Sequence, residues 1–178
     1  KHNKYVKVDV NFVANFYFNQ ITENLFIGPY PQSQSDVDEM KKMGIASLLS
    51  LQTTKDMKYR TIEWEKMEKL YDENGIKAIN YQILDMNPDD MELKAFEAAC
   101  HLKYLCDNYK TTYVHCTAGI GRAPQTVISY LMFFLKYSLD DAIELVKSKR
   151  PVTYANRDCL LRAYVKNKDR DENEVRIN

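Results

Sequence analysis

The sequence has no surplus of either charge, and this absence narrows the classes of partner. Its 178 residues include 25 Lys and Arg against 25 Asp and Glu, with no long basic tract. A nucleic-acid-binding domain is expected to carry a basic face. The longest apolar run, residues 127–135, is too short to cross a bilayer, and no signal-peptide pattern is present. We therefore expect neither a nucleic acid nor a membrane as partner.

Cysteine is scarce, and the four cysteines do not form a metal-binding pattern. Cys100 and Cys106 lie in an apolar helical pattern without Cys-x-x-Cys or histidine spacing, so they are interpreted as core residues. No metal and no other cofactor is predicted. Free thiols, which here include Cys116 and Cys159, persist in a reducing compartment. This favours the cytoplasm and leaves a plastid open.

Glycine is also scarce, so its clustering in one loop is informative. Two of the 5 glycines fall in the segment His-Cys-Thr-Ala-Gly-Ile-Gly-Arg-Ala-Pro, residues 115–124. Residues 111–114 before it are predicted as a buried strand, and the apolar residues 125–137 after it as a helix. A glycine-containing loop that opens a helix turns several unpaired N–H groups towards one point, at the positive end of the helix dipole. Such a loop is typical of an anion site, most often for phosphate.

Cys116 and Arg122 give this loop a chemistry that nucleotide-hydrolysing loops lack, since those end in Lys followed by Ser or Thr. A thiol among N–H donors, beside a helix N-terminus and a guanidinium, ionises readily, and the thiolate can attack phosphorus. The planar fork of Arg122 can hold two phosphate oxygens at once. The alternative is a core cysteine beside an ordinary glycine turn. The spacing of His, Cys, Gly and Arg between a strand and a helix favours catalysis.

The pattern His-Cys-x-x-Gly-x-x-Arg resembles the signature of the cysteine-dependent phosphatases, both tyrosine and dual-specificity. Its narrower form, Cys-x-Ala-Gly-aliphatic-Gly-Arg at residues 116–122, is similar to that of the glucan phosphatases of the laforin and plant starch-excess type. Residues 24–28 and 149–154 also resemble segments of these families, so the resemblance extends from about residue 16 to residue 165. It implies an α/β fold in which a central, mostly parallel β-sheet is flanked by α-helices.

The resemblance also implies roles for the residues of this loop. Cys116 is the expected nucleophile, and His115 is expected to support it without touching the substrate. The phosphate is expected to contact Thr117, Ala118, Gly119, Ile120, Gly121 and Arg122. Most dual-specificity phosphatases have a Ser or Thr directly after the arginine, where its hydroxyl assists breakdown of the phosphocysteine. This chain has Ala123 at that position, as the plant glucan enzymes do.

A phosphocysteine route needs a proton donor for the leaving oxygen. In the family this donor is an aspartate on a loop upstream of the cysteine, and here the matching residue is Asp85, directly after a predicted strand. Asp85 is then expected to act as the base towards water in the second step. Asp89 and Asp90 are rivals for this role, but they are better interpreted as solvated residues that cap the next helix.

Glucan recognition requires aromatic faces for sugar rings together with polar groups for hydroxyls. The resemblance supplies four candidates for glucan contact, which are Tyr154, Phe18, Met86 and Tyr59. Trp64 is a fifth, because Arg60 stands where a plant enzyme is expected to have an aromatic residue and Trp64 follows four residues later. Tyr154 is preferred, followed by Phe18. For each aromatic side chain, core packing is at least an equally good interpretation.

The chain divides into three parts. Residues 1–15 are interpreted as an N-terminal arm or linker, 16–165 as the catalytic domain, and 166–178 as a polar C-terminal tail that is expected to be mobile. Because the chain begins at Lys1, we expect an excised domain or a processed form. A carbohydrate-binding module outside this chain therefore remains open.

Strands are predicted over residues 21–27, 46–51, 76–84 and 111–115, and helices over 33–43, 59–74, 91–109, 125–137, 139–147 and 155–165. This alternation of strands and helices indicates parallel β-α units.

The leading prediction of function is hydrolysis of phosphate monoesters on starch- or glycogen-like polysaccharide through a phosphocysteine intermediate. The alternative is a dual-specificity protein phosphatase acting on phosphotyrosine and on phosphoserine or phosphothreonine. A lipid phosphatase is disfavoured, because lipid enzymes of this superfamily often place basic residues in the loop. Here Thr117, Ala118 and Ile120 are uncharged. A phosphate-binding module without catalysis is disfavoured, because such proteins typically lack one of the three catalytic residues.

Overall fold

A five-stranded sheet with the strand order β1-β2-β5-β3-β4 forms the centre of the fold. The computed structural model describes residues 16–178, so the predicted N-terminal arm lies outside the described residues. The strands are β1 (Asn19–Thr22), β2 (Leu25–Gly28), β3 (Ser47–Ser50), β4 (Lys77–Asn80) and β5 (Thr112–His115). The helices are α1 (Gln34–Lys42), α2 (Thr54–Tyr59), α3 (Trp64–Glu73), α4 (Pro88–Tyr109), α5 (Arg122–Leu135), α6 (Leu139–Lys149) and α7 (Arg157–Asn167), followed by a 3₁₀ turn (Glu172–Glu174).

The sheet is mostly parallel, as predicted. Strand β5 lies at its centre and pairs in parallel with β2 and β3, and β4 pairs in parallel with β3. Only β1 is antiparallel, and it pairs with β2 at the edge. A fully buried parallel sheet needs apolar side chains on both faces, and the runs in β2, β3 and β5 supply them.

Two hydrophobic cores lie on opposite faces of the sheet, because successive strand side chains point to opposite sides. Ile27, Leu49 and Val114 face the larger core, which also contains the buried side chains of α4 to α7. The preceding residue of each strand, Phe26, Leu48 or Tyr113, faces the smaller core. Helices α1 and α3 close this core on its outer side. The central strands are therefore covered by helices on both sides, and only their ends are free to form a site.

Two predicted elements are each split in the structure. Residues 21–27 form no single strand but the hairpin β1-β2, whose turn is closed by a hydrogen bond from the Asn24 N–H to Thr22 Oγ1 at 3.3 Å. The predicted helix 59–74 is interrupted at Thr61, which has a left-handed φ of 57°. The preceding short helix α2 exists because Thr53 and Asp56 form a capping box at its start.

The segment between β4 and α4 also differs from the prediction. Regular strand pairing ends at Asn80, and the residues up to Leu84, predicted as strand, keep only isolated backbone hydrogen bonds, from the Tyr81 N–H to Ser50 O and from the Ile83 N–H to Leu51 O. Helix α4 begins at Pro88 instead of Met91, since Asn87 caps it by accepting a hydrogen bond from the Asp90 N–H at 2.9 Å. The helix cap is therefore Asn87 and not Asp89 or Asp90. This leaves a short loop, residues 84–87, that carries the candidate acid.

The C-terminal tail packs on α4, although its composition predicts a mobile segment. Val175 is 8% exposed and packs with Phe96 and Cys100. The backbone N–H of Asn178 donates to His101 Nε2 at 3.1 Å. Ile177 packs against the same cluster, so two apolar residues anchor a segment whose composition is mostly charged. Within the described residues, no helix is long and apolar enough to cross a membrane.

We predict that Val175→Ala lowers the free energy of unfolding by about 1–2 kcal/mol, because two buried methyl groups are removed. Val165→Ala is the matched control, since Val165 is 60% exposed and should change stability little. Urea unfolding of both variants provides the measurement. Equal effects of the two substitutions would contradict the packing of the tail.

Candidate functional site

The candidate site lies at the carboxyl edge of the parallel strands, where ligand sites of open α/β sheets are formed. Three chain segments meet there: residues 116–121 after β5, residues 51–56 after β3, and residues 81–87 after β4. Backbone hydrogen bonds hold them together, from the Leu51 N–H to His115 O at 2.9 Å and from the Ile83 N–H to Leu51 O at 3.1 Å. The predicted nucleophile and the predicted acid are therefore brought to the same edge.

The loop that follows β5 has all its carbonyl groups turned towards the surrounding protein. Each of these carbonyls accepts a hydrogen bond, and three of them accept it from His115, Tyr30 and Tyr154. The Cys116 carbonyl accepts from His115 Nδ1 at 2.8 Å, the Thr117 carbonyl from the Tyr30 N–H at 3.1 Å, and the Ile120 carbonyl from the Tyr154 N–H at 2.8 Å. The Gly121 carbonyl accepts within the first turn of α5.

Arg150 holds the two carbonyls at the middle of the loop. This arginine is completely buried and donates from Nε to Gly119 O at 2.6 Å and from Nη2 to Ala118 O at 3.1 Å. Nη1 in turn donates to Asn19 Oδ1 at 2.8 Å, which fixes the guanidinium against β1. Arg150 is a site residue that sequence reasoning missed, although it stands inside the segment 149–154 that resembles the glucan phosphatases.

Gly119 is required at this point of the loop for two reasons. Its φ of +69° lies in the left-handed region, and a Cβ built on it would lie 2.3 Å from Gly28 O and 2.9 Å from Arg150 Nη2. Any side chain would therefore push the loop away from the groups that hold it.

The N–H groups of this loop point the other way. A planar trans peptide carries its C=O and N–H on opposite sides, so holding the carbonyls outward turns the N–H groups inward. Among the described residues, the backbone N–H groups of residues 117–121 have no protein acceptor. An array of converging donors at a helix N-terminus fits a tetrahedral oxyanion such as phosphate.

Arg122 presents one edge of its guanidinium to the same space. Its Nη1 is used for structure, donating to Asp56 Oδ2 at 2.6 Å and to Ile83 O at 2.9 Å. Its Nε is buried and makes no hydrogen bond of good geometry within the described part of the chain, although Asp85 Oδ1 lies 3.3 Å away. Nη2 lies 3.5 Å from Thr117 Oγ1. The Nε–Nη2 edge is therefore the one suited to bidentate binding of an anion.

Asp56 is the second site residue that sequence reasoning missed. Its Oδ2 also accepts from the Thr53 N–H at 2.9 Å, so one carboxylate caps α2 and fixes Arg122. Burial raises the pKa of Asp56, but the hydrogen bonds from Arg122 and Thr53 outweigh burial and hold this pKa below its usual range. The signal available in the sequence was the pair Thr53 and Asp56, which has the spacing of a capping box.

Asp85 is exposed at the mouth of the site, with 54% of its side chain accessible. Its Oδ1 accepts from the Met86 N–H at 3.0 Å and lies beside Arg122 Nε. The rival Asp90 is used to build the loop, because its Oδ2 accepts from the Leu84 N–H at 2.7 Å and from Lys94 Nζ at 3.1 Å. Of the two, only Asp85 has its carboxylate beside Arg122.

Cys116 and His115 lie at the floor of the loop. Cys116 is only 4% exposed, so its thiol is buried beneath the loop. Burial, and to a smaller extent the nearby charge of Arg122, lowers the pKa of His115 to about 4, so this imidazole is neutral at physiological pH. Its role is structural, since its Nδ1 fixes the Cys116 carbonyl.

A cleft of about 460 Å³ opens above the loop. It is lined by Thr53, Lys55, Asp56, Tyr59, Arg60, Leu84, Asp85 and Thr117. Of the five candidates for glucan contact, Tyr59 lines this cleft and is 82% exposed. Met86 and Tyr154 are exposed next to Asp85 and the loop, respectively, and are available for contact.

The structure does not bring Phe18 and Trp64 to the cleft. The ring of Phe18 packs against Phe26 and Tyr113 in the smaller core, at centroid distances of 6.0 and 5.8 Å. Trp64 packs against Tyr71 of the same core and borders a different groove. Core packing, the alternative interpretation of both residues, accounts for their positions. No cluster of potential metal ligands occurs between residues 16 and 178.

We predict that Arg150→Lys weakens the binding of inorganic phosphate about tenfold or more, because one ammonium cannot hold two carbonyls in a fixed plane. Isothermal titration calorimetry measures this affinity, with circular dichroism to verify folding. Lys149→Met, which changes the exposed neighbour, is the control and should bind phosphate normally. Unchanged affinity in a folded Arg150→Lys variant would show that the loop does not need this arginine.

Two curated relatives are phosphatases of phosphorylated glucan or carry the laforin name. The chain is 31% identical over 137 residues to phosphoglucan phosphatase DSP4 (amyloplastic) of Castanea sativa, covering 75% of this chain and 36% of the relative. It is 27% identical over 176 residues to laforin of Mus musculus, covering 87% and 53% of the two proteins. The chain thus spans between about a third and a half of the length of these relatives.

Other similar proteins act on a lipid or share only the fold. Phosphatidylglycerophosphate phosphatase PTPMT2 of Arabidopsis thaliana is 29% identical over 135 residues, covering 76% of this chain and 56% of the relative. The crystal structure of PTPMT1 superposes with a TM-score of 0.67 at 17% identity, covering 89% of this chain and 96% of that one. At that identity the superposition shows the fold alone.

The family that matches is described as dual specificity phosphatase, catalytic domain, and the match covers residues 25–165. This range contains four of the five strands, both missed residues Asp56 and Arg150, and the complete loop from Cys116 to Arg122. The chain belongs to the dual-specificity phosphatase family.

Proposed function

We propose that this chain is a glucan phosphatase that hydrolyses phosphate monoesters on a starch- or glycogen-like polysaccharide. The observation that carries the proposal is the loop of residues 116–121, in which every carbonyl is held outward above a buried thiol. Similarity to phosphoglucan phosphatase DSP4 and to laforin supports the choice of substrate.

In the first step, the Cys116 thiolate attacks phosphorus, so that an S–P bond forms and the bond from phosphorus to the glucose oxygen breaks. The inward N–H groups of residues 117–121 and the Nε–Nη2 edge of Arg122 hold the three equatorial oxygens. Asp85 gives its proton to the leaving glucose oxygen. Its exposed position on the short loop at the mouth of the site supports this role.

In the second step, water attacks the phosphocysteine and the S–P bond breaks. Asp85, now a carboxylate, accepts the proton of that water, and Cys116 leaves as a thiolate. The residue after the arginine is the buried Ala123, which offers no hydroxyl to assist this step. We infer that breakdown of the phosphocysteine depends on Asp85 alone among these side chains. A free thiolate nucleophile also fits a reducing compartment.

The surroundings of the loop favour a glucan over the other substrates. Within the loop, Thr117, Ala118 and Ile120 are uncharged, which suits a substrate that presents one phosphate at a time to the loop. Three large side chains around the loop are more than half exposed and can contact sugar rings: Tyr59, Met86 and Tyr154. A phosphatidylglycerophosphate substrate is the candidate that the Arabidopsis relative raises, and a phosphoprotein is the candidate that the family name raises.

The proposed function is tested by phosphate release from solubilised phosphorylated amylopectin, a phosphotyrosine peptide and phosphatidylglycerophosphate vesicles, with Cys116→Ser as the blank. We expect release from the glucan to exceed release from the other two substrates. Cys116→Ser should bind the phosphoglucan and release nothing, because the serine hydroxyl is a far weaker nucleophile than a thiolate. Preferential hydrolysis of the peptide or the lipid would contradict the proposed substrate, and turnover by Cys116→Ser would contradict the proposed chemistry.

We further predict that Asp85→Ala slows hydrolysis of an alkyl phosphate about 10²–10⁴-fold but slows an activated aryl phosphate much less, since an aryl leaving group needs little protonation. Steady-state kinetics with both substrates provide the measurement. Asp89→Ala is the matched control and should retain the activity towards both substrates. A similar loss on both substrates in Asp85→Ala would assign Asp85 a structural role.

A further inference from the structure

We propose that the cleft above the loop binds a second anionic group of the substrate, namely a phosphate on a glucose residue next to the one being dephosphorylated. This inference rests on the proposed function and narrows its substrate to glucan segments that carry clustered phosphates. The second binding position is formed by Lys55 and Arg60, which we call the cationic wall.

The charges around helix α2 are unbalanced, although the whole chain has a net charge of zero. The segment 54–60 contains three cations, Lys55, Lys58 and Arg60, and a single acid, Asp56. Asp56 is already committed to Arg122, at 2.6 Å. Among the described residues, no carboxylate lies within ion-pair distance of any of these three cations. The segment therefore carries positive charge that the protein does not neutralise locally.

The two residues of the cationic wall face the catalytic cleft. Lys55 and Arg60 line the same cleft as Thr117 of the loop and Asp85. The guanidinium of Arg60 lies over the ring of Tyr59, at 5.5 Å from its centroid, which restrains the long side chain beside the cleft. Lys58 belongs to the same helix but lines a separate groove. Position in the segment 54–60 thus separates two cations that line the catalytic cleft from one that lines another groove.

The loop and the cationic wall have different capacities. The loop N–H groups and one edge of Arg122 are sufficient for a single phosphate, and its uncharged side chains offer nothing to a second. A phosphate bound next to the first would meet Lys55 and Arg60, which can form charge-assisted hydrogen bonds with it. Tyr59, 82% exposed between them in sequence, offers its ring to the sugar. The combination of an exposed aromatic ring with two cations fits a phosphorylated sugar chain better than an acyl chain.

The experiment compares two synthetic maltooligosaccharides, one with a single phosphate and one with phosphates on neighbouring glucose residues. We expect wild-type kcat/KM to be about tenfold higher or more for the doubly phosphorylated substrate. In the double variant Lys55→Met/Arg60→Gln this preference should fall to about twofold, which is what two equivalent phosphates give by counting alone. Lys58→Met is the matched control and should keep the full preference.

Each other outcome contradicts the inference in a recognisable way. Equal wild-type hydrolysis of the two glucans would overturn the second phosphate position while leaving the proposed function intact. An equal loss on both glucans in the double variant would show that the wall acts on phosphate in general. If the wild type releases phosphate from neither glucan, the proposed function fails as well. If phosphatidylglycerophosphate vesicles are preferred and the double variant loses that activity, the second anion belongs to a lipid headgroup.

Discussion

The orientation of five consecutive peptide groups, those that carry the N–H groups of residues 117–121, is the constraint on which the site depends. A loop of bare N–H donors is unstable by itself, because each peptide must be held against its own tendency to turn and pair elsewhere. Here the protein satisfies the opposite side of each peptide, and the buried Arg150 does so for the two at the tip, Ala118 and Gly119. Gly119 allows the necessary left-handed turn. The hydrogen bonds to the loop carbonyls thus orient the N–H groups towards an anion, although these bonds do not contact the anion themselves.

Arg122 likewise has one part that the protein fixes in place and another part that is available to bind an anion. One end of its guanidinium is fixed by Asp56 and a backbone carbonyl, while the Nε–Nη2 edge lies beside Asp85 and Thr117. Asp56 and Asp85 both lie next to this cation, but their burial and partners give them different tasks. Asp56 is bonded on several sides and stays ionised, whereas Asp85 is exposed on a short loop. A preorganised donor edge of this kind needs little rearrangement when phosphate arrives.

The sequence predicted the parts of this structure that depend on local chemistry. The sheet, its helical layers and the loop between β5 and α5 follow from periodicity, glycine placement and family resemblance. What could not be predicted depends on contacts between distant segments. Arg150, Asp56 and the packing of Val175 all act across more than fifty residues or across separate elements. Phe18 and Trp64 illustrate the converse, since an aromatic residue fits a core and a sugar site equally well until its neighbours are known.

The most direct test of the central claim is an NMR titration of the ¹⁵N-labelled chain with inorganic phosphate. If the N–H groups of residues 117–121 converge on one anion, these five amide signals should shift together, with a single dissociation constant, and exchange more slowly with solvent when phosphate is bound. Amides elsewhere on the sheet should change little. Phosphate binding that shifts other amides while those of the loop remain unchanged would contradict the account, because the loop would then not be the anion site.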